Sequence, residues 1–183
     1  MKRSDINQLV REAKACFEAH GWALPPEPRW DVTDLGLGNW REHGLVLVNL
    51  AEEPEYREKL MYAKKGMVTP SHYHKSKKED IICRWGELAV KLNAPDCPFQ
   101  MKLNGRYREI RDGDELVLKP GHRVTLEPGM IHSFWPTTDE CIIGEVSTAN
   151  DDLNDNFFLN PDIGRFPAIE EDEPAAVKLL GDR

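Results

Sequence analysis

Positive charge is in short supply in this chain, since 24 Lys and Arg face 32 Asp and Glu for a net charge of −8. Phosphate contacts need clustered cations, so the charge argues against nucleic acid as a partner. The same acidity argues against an anionic membrane surface. No stretch approaches the roughly 18 apolar residues of a spanning helix, and the start, MKRSDINQLVREAKACF, has no uninterrupted apolar segment of the kind that directs export. A cytoplasmic location without membrane association is therefore expected. Cys16, Cys83, Cys97 and Cys141 are scattered and form no CxxC, which leaves a zinc ribbon or redox dithiol unsupported. Cys83 and Cys141 lie in apolar runs and read as small buried thiols. LGLG at 35–38 lacks the third glycine of a dinucleotide loop, and no GxxxxGK[ST] occurs. Nothing in the sequence points to nucleotide binding.

What is present suits one compact unit of 183 residues and 21.0 kDa, long enough for a substantial core. Ile6, Leu9, Val10, Ala13 and Phe17 recur at helical spacing, and Gly21 offers a stop, so a helix is expected over about 5–20. ALPPEPRW at 23–30 carries three prolines and reads as an extended arm. Short strands are then expected at 45–50, 59–63, around HYH at 72–74, and at 80–85, 87–92, 106–110, 115–119, 123–127, 131–135 and 140–147. Glycine and proline turns at 111–114, 119–121 and 127–129 divide them. Many short strands without βαβ alternation indicate an all-β jelly roll, a β-sandwich or small barrel preceded by an N-terminal α-helix. One domain over 1–183 is expected: helix and arm at 1–30, barrel core at 31–150 and C-terminal extension at 151–183.

The chemistry concentrates in GMVTPSHYHKSKKEDIICRWG at 66–86. His72 and His74 stand at i and i+2, so on an extended strand both imidazoles point to one face, and a turn brings Glu79 back beside them. EPGMIHSF at 127–134 supplies a fourth candidate ligand, His132, after a Pro-Gly turn. The spacing Gly66, His72, His74, Glu79, Gly86 resembles the first motif of the cupin family at every fixed position. The second motif is partly met by Gly121, Gly129 and His132; Glu127 stands where proline is usual, and Pro136 where asparagine is usual. Three neutral imidazoles and one carboxylate leave a divalent ion with open positions. That donor set suits Mn²⁺, Fe²⁺, Co²⁺, Ni²⁺ or Zn²⁺, and without a thiolate it gives no reason for structural zinc.

Glu145, on the strand after His132, is expected in the cavity, where burial moves a carboxyl toward neutrality unless a metal field holds it down. Its competing reading is a structural partner for a buried Lys, Arg or backbone amide. Lys77 lies two before Glu79 and shares its face if that stretch is extended, where a metal would lower its pKa. Within KSKK at 75–78, Lys75 or Lys78 competes for the same place, or the run is simply a solvated loop.

A narrower resemblance follows. HYHKSKKEDIICRWG at 72–86, GEVSTANDDLNDNFF at 144–158 and IGRFPAIEEDE at 163–173 resemble the D-lyxose isomerase family of small cupin sugar isomerases, over about 22–173. The resemblance implies a divalent ion, typically Mn²⁺, held by His72, His74, Glu79 and His132. It further implies catalytic positions at Glu145 and Lys77, substrate-binding positions at Asp155 and Arg165, and interconversion of D-lyxose with D-xylulose, with D-mannose and D-fructose as a second pair. Isomerisation through a cis-enediol needs one base that lifts and returns a carbon proton, a place for Glu145, together with polarisation of the carbonyl oxygen. A cupin dioxygenase or a non-catalytic sugar-binding cupin would use the same ligands differently. Trp22, Trp30 and Trp40 supply aromatic surface for a homodimer, or else cap the barrel's open end.

Overall fold

The apolar stripe of the N-terminal segment forms α1 (Arg3–Ala19), a little earlier at its start than the periodicity suggests. The computed structural model describes residues 1–93, 99–149, 151 and 154–182. Cys97, and residues 150, 152 and 153 of the stretch after Glu145, lie outside the described residues. The helix ends as Gly21 turns into the left-handed region (φ 76°), while the amides of His20 and Trp22 both reach back to the carbonyl of Phe17.

Thirteen strands follow among the described residues: β1 (Arg29–Thr33), β2 (Leu45–Glu52), β3 (Tyr56–Lys64), β4 (Thr69–Tyr73), β5 (Glu79–Trp85), β6 (Leu88–Asn93), β7 (Phe99–Leu103), β8 (Arg106–Ile110), β9 (Glu115–Leu118), β10 (Arg123–Leu126), β11 (Ile131–Pro136), β12 (Glu140–Thr148) and β13 (Phe157–Phe158). They pair as an eight-stranded sheet, β1-β2-β3-β12-β5-β10-β7-β8, and a five-stranded sheet, β13-β4-β11-β6-β9. Every strand pair is antiparallel. The result is the all-β cupin-like sandwich with its N-terminal helix, two facing sheets that do not close into a barrel.

Period-2 alternation divides the core in two. One face of the large sheet, with Trp30, Val32, Val46, Val48, Leu60, Tyr62 and Ile142, packs under α1 against Ile6, Leu9, Val10, Ala13 and Phe17. Each such side chain, fully buried, contributes about 1.5–3 kcal/mol of transfer free energy. The other face, with Leu47, Met61, Ile81, Cys83, Cys141 and Ile143, meets Leu88, Val90, Leu92, Leu118 and Phe134 of the small sheet. Cys83 and Cys141 are both fully buried and unpaired by disulfide.

The proline-rich arm leads into β1, a strand its composition hid, so that Trp30 is fully buried and stacks on Phe17 at 6.5 Å. Trp40 is buried and Trp22 half-buried in the same cluster, so the tryptophans close the helix side of the sheet within the chain. The C-terminal residues return to α1: Arg3 pairs with Glu171 and Asp182 at 2.6 and 2.9 Å, and Ser4 Oγ donates to Asp172 at 2.7 Å. No helix among the described residues is long and apolar enough to cross a membrane.

Candidate metal centre and active site

Glu79 opens β5 in the large sheet, while His72 on β4 and His132 on β11 face it from the small sheet in direct cross-strand register. His74 lies one residue past β4, held where the Gly129 amide donates to its carbonyl at 2.6 Å. Gly129 has a φ of 86°, and the turn before His132 closes through the Met130 amide and the Glu127 carbonyl, although Glu127 replaces the usual proline. One ligand atom from each of His72, His74, Glu79 and His132 lies within 4.8 Å of the others, and all four residues are buried.

Their hydrogen bonds decide what this cluster can hold. Nδ1 of His72 faces the Pro70 carbonyl at 2.8 Å, Nδ1 of His132 faces the Met130 carbonyl at 3.0 Å, and Nδ1 of His74 faces the Asp155 carbonyl. A carbonyl only accepts, so each Nδ1 carries the proton and each Nε2 presents a lone pair. Nε2 of His74, Nε2 of His132 and Oε1 of Glu79 are buried without a hydrogen-bond partner. Two lone-pair atoms, His132 Nε2 and Glu79 Oε1, stand 3.1 Å apart. Such an arrangement is repulsive unless a cation lies among them, and three imidazoles with a carboxylate are the donor set of a divalent transition ion. Burial, reinforced by the His132 imidazole, pushes His72 well below its ordinary pKa; burial likewise lowers His74 against the pull of Glu79. Both stay neutral, as ligands must. Burial opposes ionisation of Glu79, but the Lys77 ammonium outweighs it and holds the carboxyl well down.

Of the three lysines competing in 75–78, Lys77 enters. It is 3% exposed, with Nζ 2.6 Å from Glu79 Oε2 and 2.9 Å from Glu145 Oε1. Lys75 instead lies over the Phe157 ring at 4.2 Å, and Lys78 pairs with Glu127 on the surface. The 74–78 stretch is a loop, one of the two readings left open for it, and Asp155 shapes it. Its carboxylate accepts from the amides of Lys75, Ser76 and Lys77 at 2.7, 3.1 and 3.0 Å. Both carboxylate oxygens are engaged by backbone, so Asp155 positions the loop.

The buried charges beside the cluster compensate one another. Burial raises the Glu145 carboxyl, but Lys59 and then Lys77 more than offset it and the pKa falls below the ordinary value. Burial lowers Lys77, but Glu145 and Glu79 outweigh it and its pKa is raised. Lys59, which the sequence reading missed, acts on Glu145: 5% exposed on β3, with Nζ 3.4 Å from Glu145 Oε1, it makes the centre a two-lysine, two-glutamate array. Alternation in KLMYA was the available signal, since Leu60 and Tyr62 pack under α1 and Lys59 must then share the inward face with Met61.

Arg165 donates to Asp31, lies 4.6 Å over the Phe166 ring, and lines a cavity of about 50 Å³ with Lys59, Thr69, Phe134, Asn156 and Phe158 around the cluster. A recess of about 610 Å³ between Trp30 and the C-terminal residues 177–182 contains no such group of ligands.

A two-sheet sandwich that gathers three histidines and a glutamate around one divalent position, with a lysine–glutamate pair alongside, defines a metal-dependent enzyme of the cupin class. The D-lyxose isomerase family model matches residues 27–183. The chain belongs to the D-lyxose isomerase family. It is 34% identical to the D-lyxose/D-mannose isomerase of Escherichia coli O157:H7, over 100% of this chain and 98% of that protein. It is 34% identical to the D-lyxose/D-mannose isomerase of Serratia proteamaculans, over 95% of this chain and 94% of that one. Among solved structures, Geodermatophilus obscurus L-ribose isomerase superposes with a TM-score of 0.71 at 18% identity, covering 93% of this chain and 98% of the other, a likeness of fold.

Proposed function

We propose that the protein is a divalent-metal-dependent aldose–ketose isomerase that interconverts D-lyxose with D-xylulose and, as a second pair, D-mannose with D-fructose. The observation that carries this reading is the Lys77–Glu145 contact of 2.9 Å directly beside the four-ligand cluster. His72, His74, Glu79 and His132 would hold the ion, with Mn²⁺ as the proposed occupant; when bound, it supplies Lewis-acid polarisation of the sugar's carbonyl oxygen. Glu145, kept ionised by its two lysines, accepts the proton from C2 of the aldose and returns it to C1, passing through a cis-enediol. Lys77, kept protonated by Glu79 and Glu145, donates a hydrogen bond to the oxygen on which negative charge develops, while the hydroxyl proton moves from O2 to O1. Asp155 acts by positioning Lys77, and Arg165 forms the wall against which the sugar lies. A cytoplasmic location and a homodimer complete the reading.

The test is a panel of free and phosphorylated pentoses and hexoses with Mn²⁺ in D₂O, followed by NMR. Ketose formation with deuterium entering at C1 is expected, and Glu145→Gln should lower kcat by about 10²–10⁴ at unchanged metal content. Unaltered turnover in that variant removes Glu145 as the base. Oxygen consumption without isomerisation replaces the reading with a dioxygenase.

A further inference from the structure

Most polar side chains on the inward face of the large sheet are accounted for. Asp31 is bonded by Arg165, and Lys59 pairs with Glu145. Asn49 differs: it is 5% exposed, and neither its Oδ1 nor its Nδ2 has a hydrogen-bond partner. A buried amide left with donors and acceptors unmet is costly, and natural proteins keep such groups where something else meets them.

Its orientation follows from alternation along β2. Val46 and Val48 pack under α1, while Leu45 and Leu47 line the cavity, so Asn49 points the same way as Leu47. Its cross-strand partner is Lys59, whose partner on the other side is Glu145. Adjacent strands are about 4.8 Å apart, so Glu145, Lys59 and Asn49 form a straight polar row leading away from the metal ligands. In the next row on the same face, Leu47, Met61 and Ile143 are apolar. Ser147 is also buried without a partner, but it stands opposite Glu79 at the metal end. An open-chain sugar carries a hydroxyl on nearly every carbon. With C1 and C2 at Glu145, its hydroxyls find polar partners along this row, and along the neighbouring one only Asp31, which Arg165 already engages.

We propose, resting on the isomerase reading, that Asn49 is a specificity-determining residue whose amide hydrogen-bonds the hydroxyls at the far end of an open-chain sugar and so contributes more to holding six carbons than five. Only the end remote from C1 and C2 reaches it, and a hexose extends further than a pentose.

The test is Asn49→Leu, a substitution of similar volume that removes both amide groups. Loss of one neutral hydrogen bond corresponds to about tenfold in affinity. KM for D-mannose should therefore rise roughly tenfold, KM for D-lyxose by less than about threefold, and kcat for either by less than about twofold. Two non-reacting open-chain polyols, D-mannitol and D-arabinitol, should show the same split in calorimetric Kd on the metal-loaded protein. The melting temperature without ligand should stay or rise, because an unmet polar group is replaced by an apolar one. Should leucine fail to fold, Asn49→Ser must show the same divergence between the two sugars. Equal effects on both sugars, or none, overturn the proposal while wild-type turnover leaves the isomerase reading standing. A wild-type protein that isomerises no sugar overturns both.

Discussion

Removing the Asp155 carboxylate tests how the catalytic loop is held. Asp155→Ala leaves its backbone carbonyl in place, so the contact to His74 Nδ1 survives, while the amides of Lys75, Ser76 and Lys77 lose their shared acceptor. A hydrogen bond to a charged acceptor contributes about 1.5–3 kcal/mol net. Three amides converging on one carboxylate are not additive, and water entering the vacated space recovers part of the loss, which places the total at roughly 2–4 kcal/mol. For a chain of this size that corresponds to a fall in melting temperature of about 4–16 °C. The loop carries Lys77 and sets the spacing from His74 to Glu79, so metal affinity should fall by about 10–100-fold, as for other groups that orient ligands. Calorimetric melting and metal titration of the apoprotein measure the two losses separately. Asp155→Asn, which retains one acceptor oxygen, should recover part of each. An alanine variant with unchanged melting temperature and unchanged metal affinity would refute the positioning role.

Two further outcomes follow from the same geometry. Elemental analysis of protein purified without chelator should find about one divalent transition ion per chain, and His72→Ala should remove most of it; full retention would mean that the convergent Nε2 atoms are not the ligand set. The C-terminal residues should detach in acid: Glu171, Asp172 and Asp182, lowered chiefly by hydrogen bonds from Arg3 and Ser4, stabilise the docked state in full above their unfolded values near 4.5 and 3.8 and lose that contribution as pH falls through the depressed folded values. Hydrogen exchange over 168–182, corrected for intrinsic rate, should rise at pH 3 relative to pH 6, whereas equal protection would show that apolar contacts alone hold the segment.

The strands with strong alternation and turn residues at their ends were legible, from β2 through β12 with the exception of β7, because burial of one face imposes period 2 on the residues themselves. Three strands were not. β1 hides behind prolines that only a sheet edge tolerates, β7 adjoins a segment with no periodic signal, and β13 has two residues and exists only because β4 offers it an edge. At the site, the metal cluster was readable from spacing because chelation demands fixed donor types. Charge balance was not: the depressed pKa of Glu145 depends on Lys59, which is 86 positions earlier in the chain and meets it only through the pairing of β3 with β12. The contacts of Asp155 with the 75–77 amides could not be read, since backbone amides as partners leave no trace in composition.

The ligands come from both sheets, Glu79 from one and His72 and His132 from the other. An ion that binds only when the two layers are stacked acts as a rivet through the sandwich, and its chemical potential becomes linked to folding. At a free concentration a hundredfold above its dissociation constant it stabilises the folded state by about 2.7 kcal/mol, equivalent to roughly 5–11 °C in melting temperature at this chain length. Thermal resistance would then track metal supply, so that chelation loosens the layers before it is noticed as lost turnover.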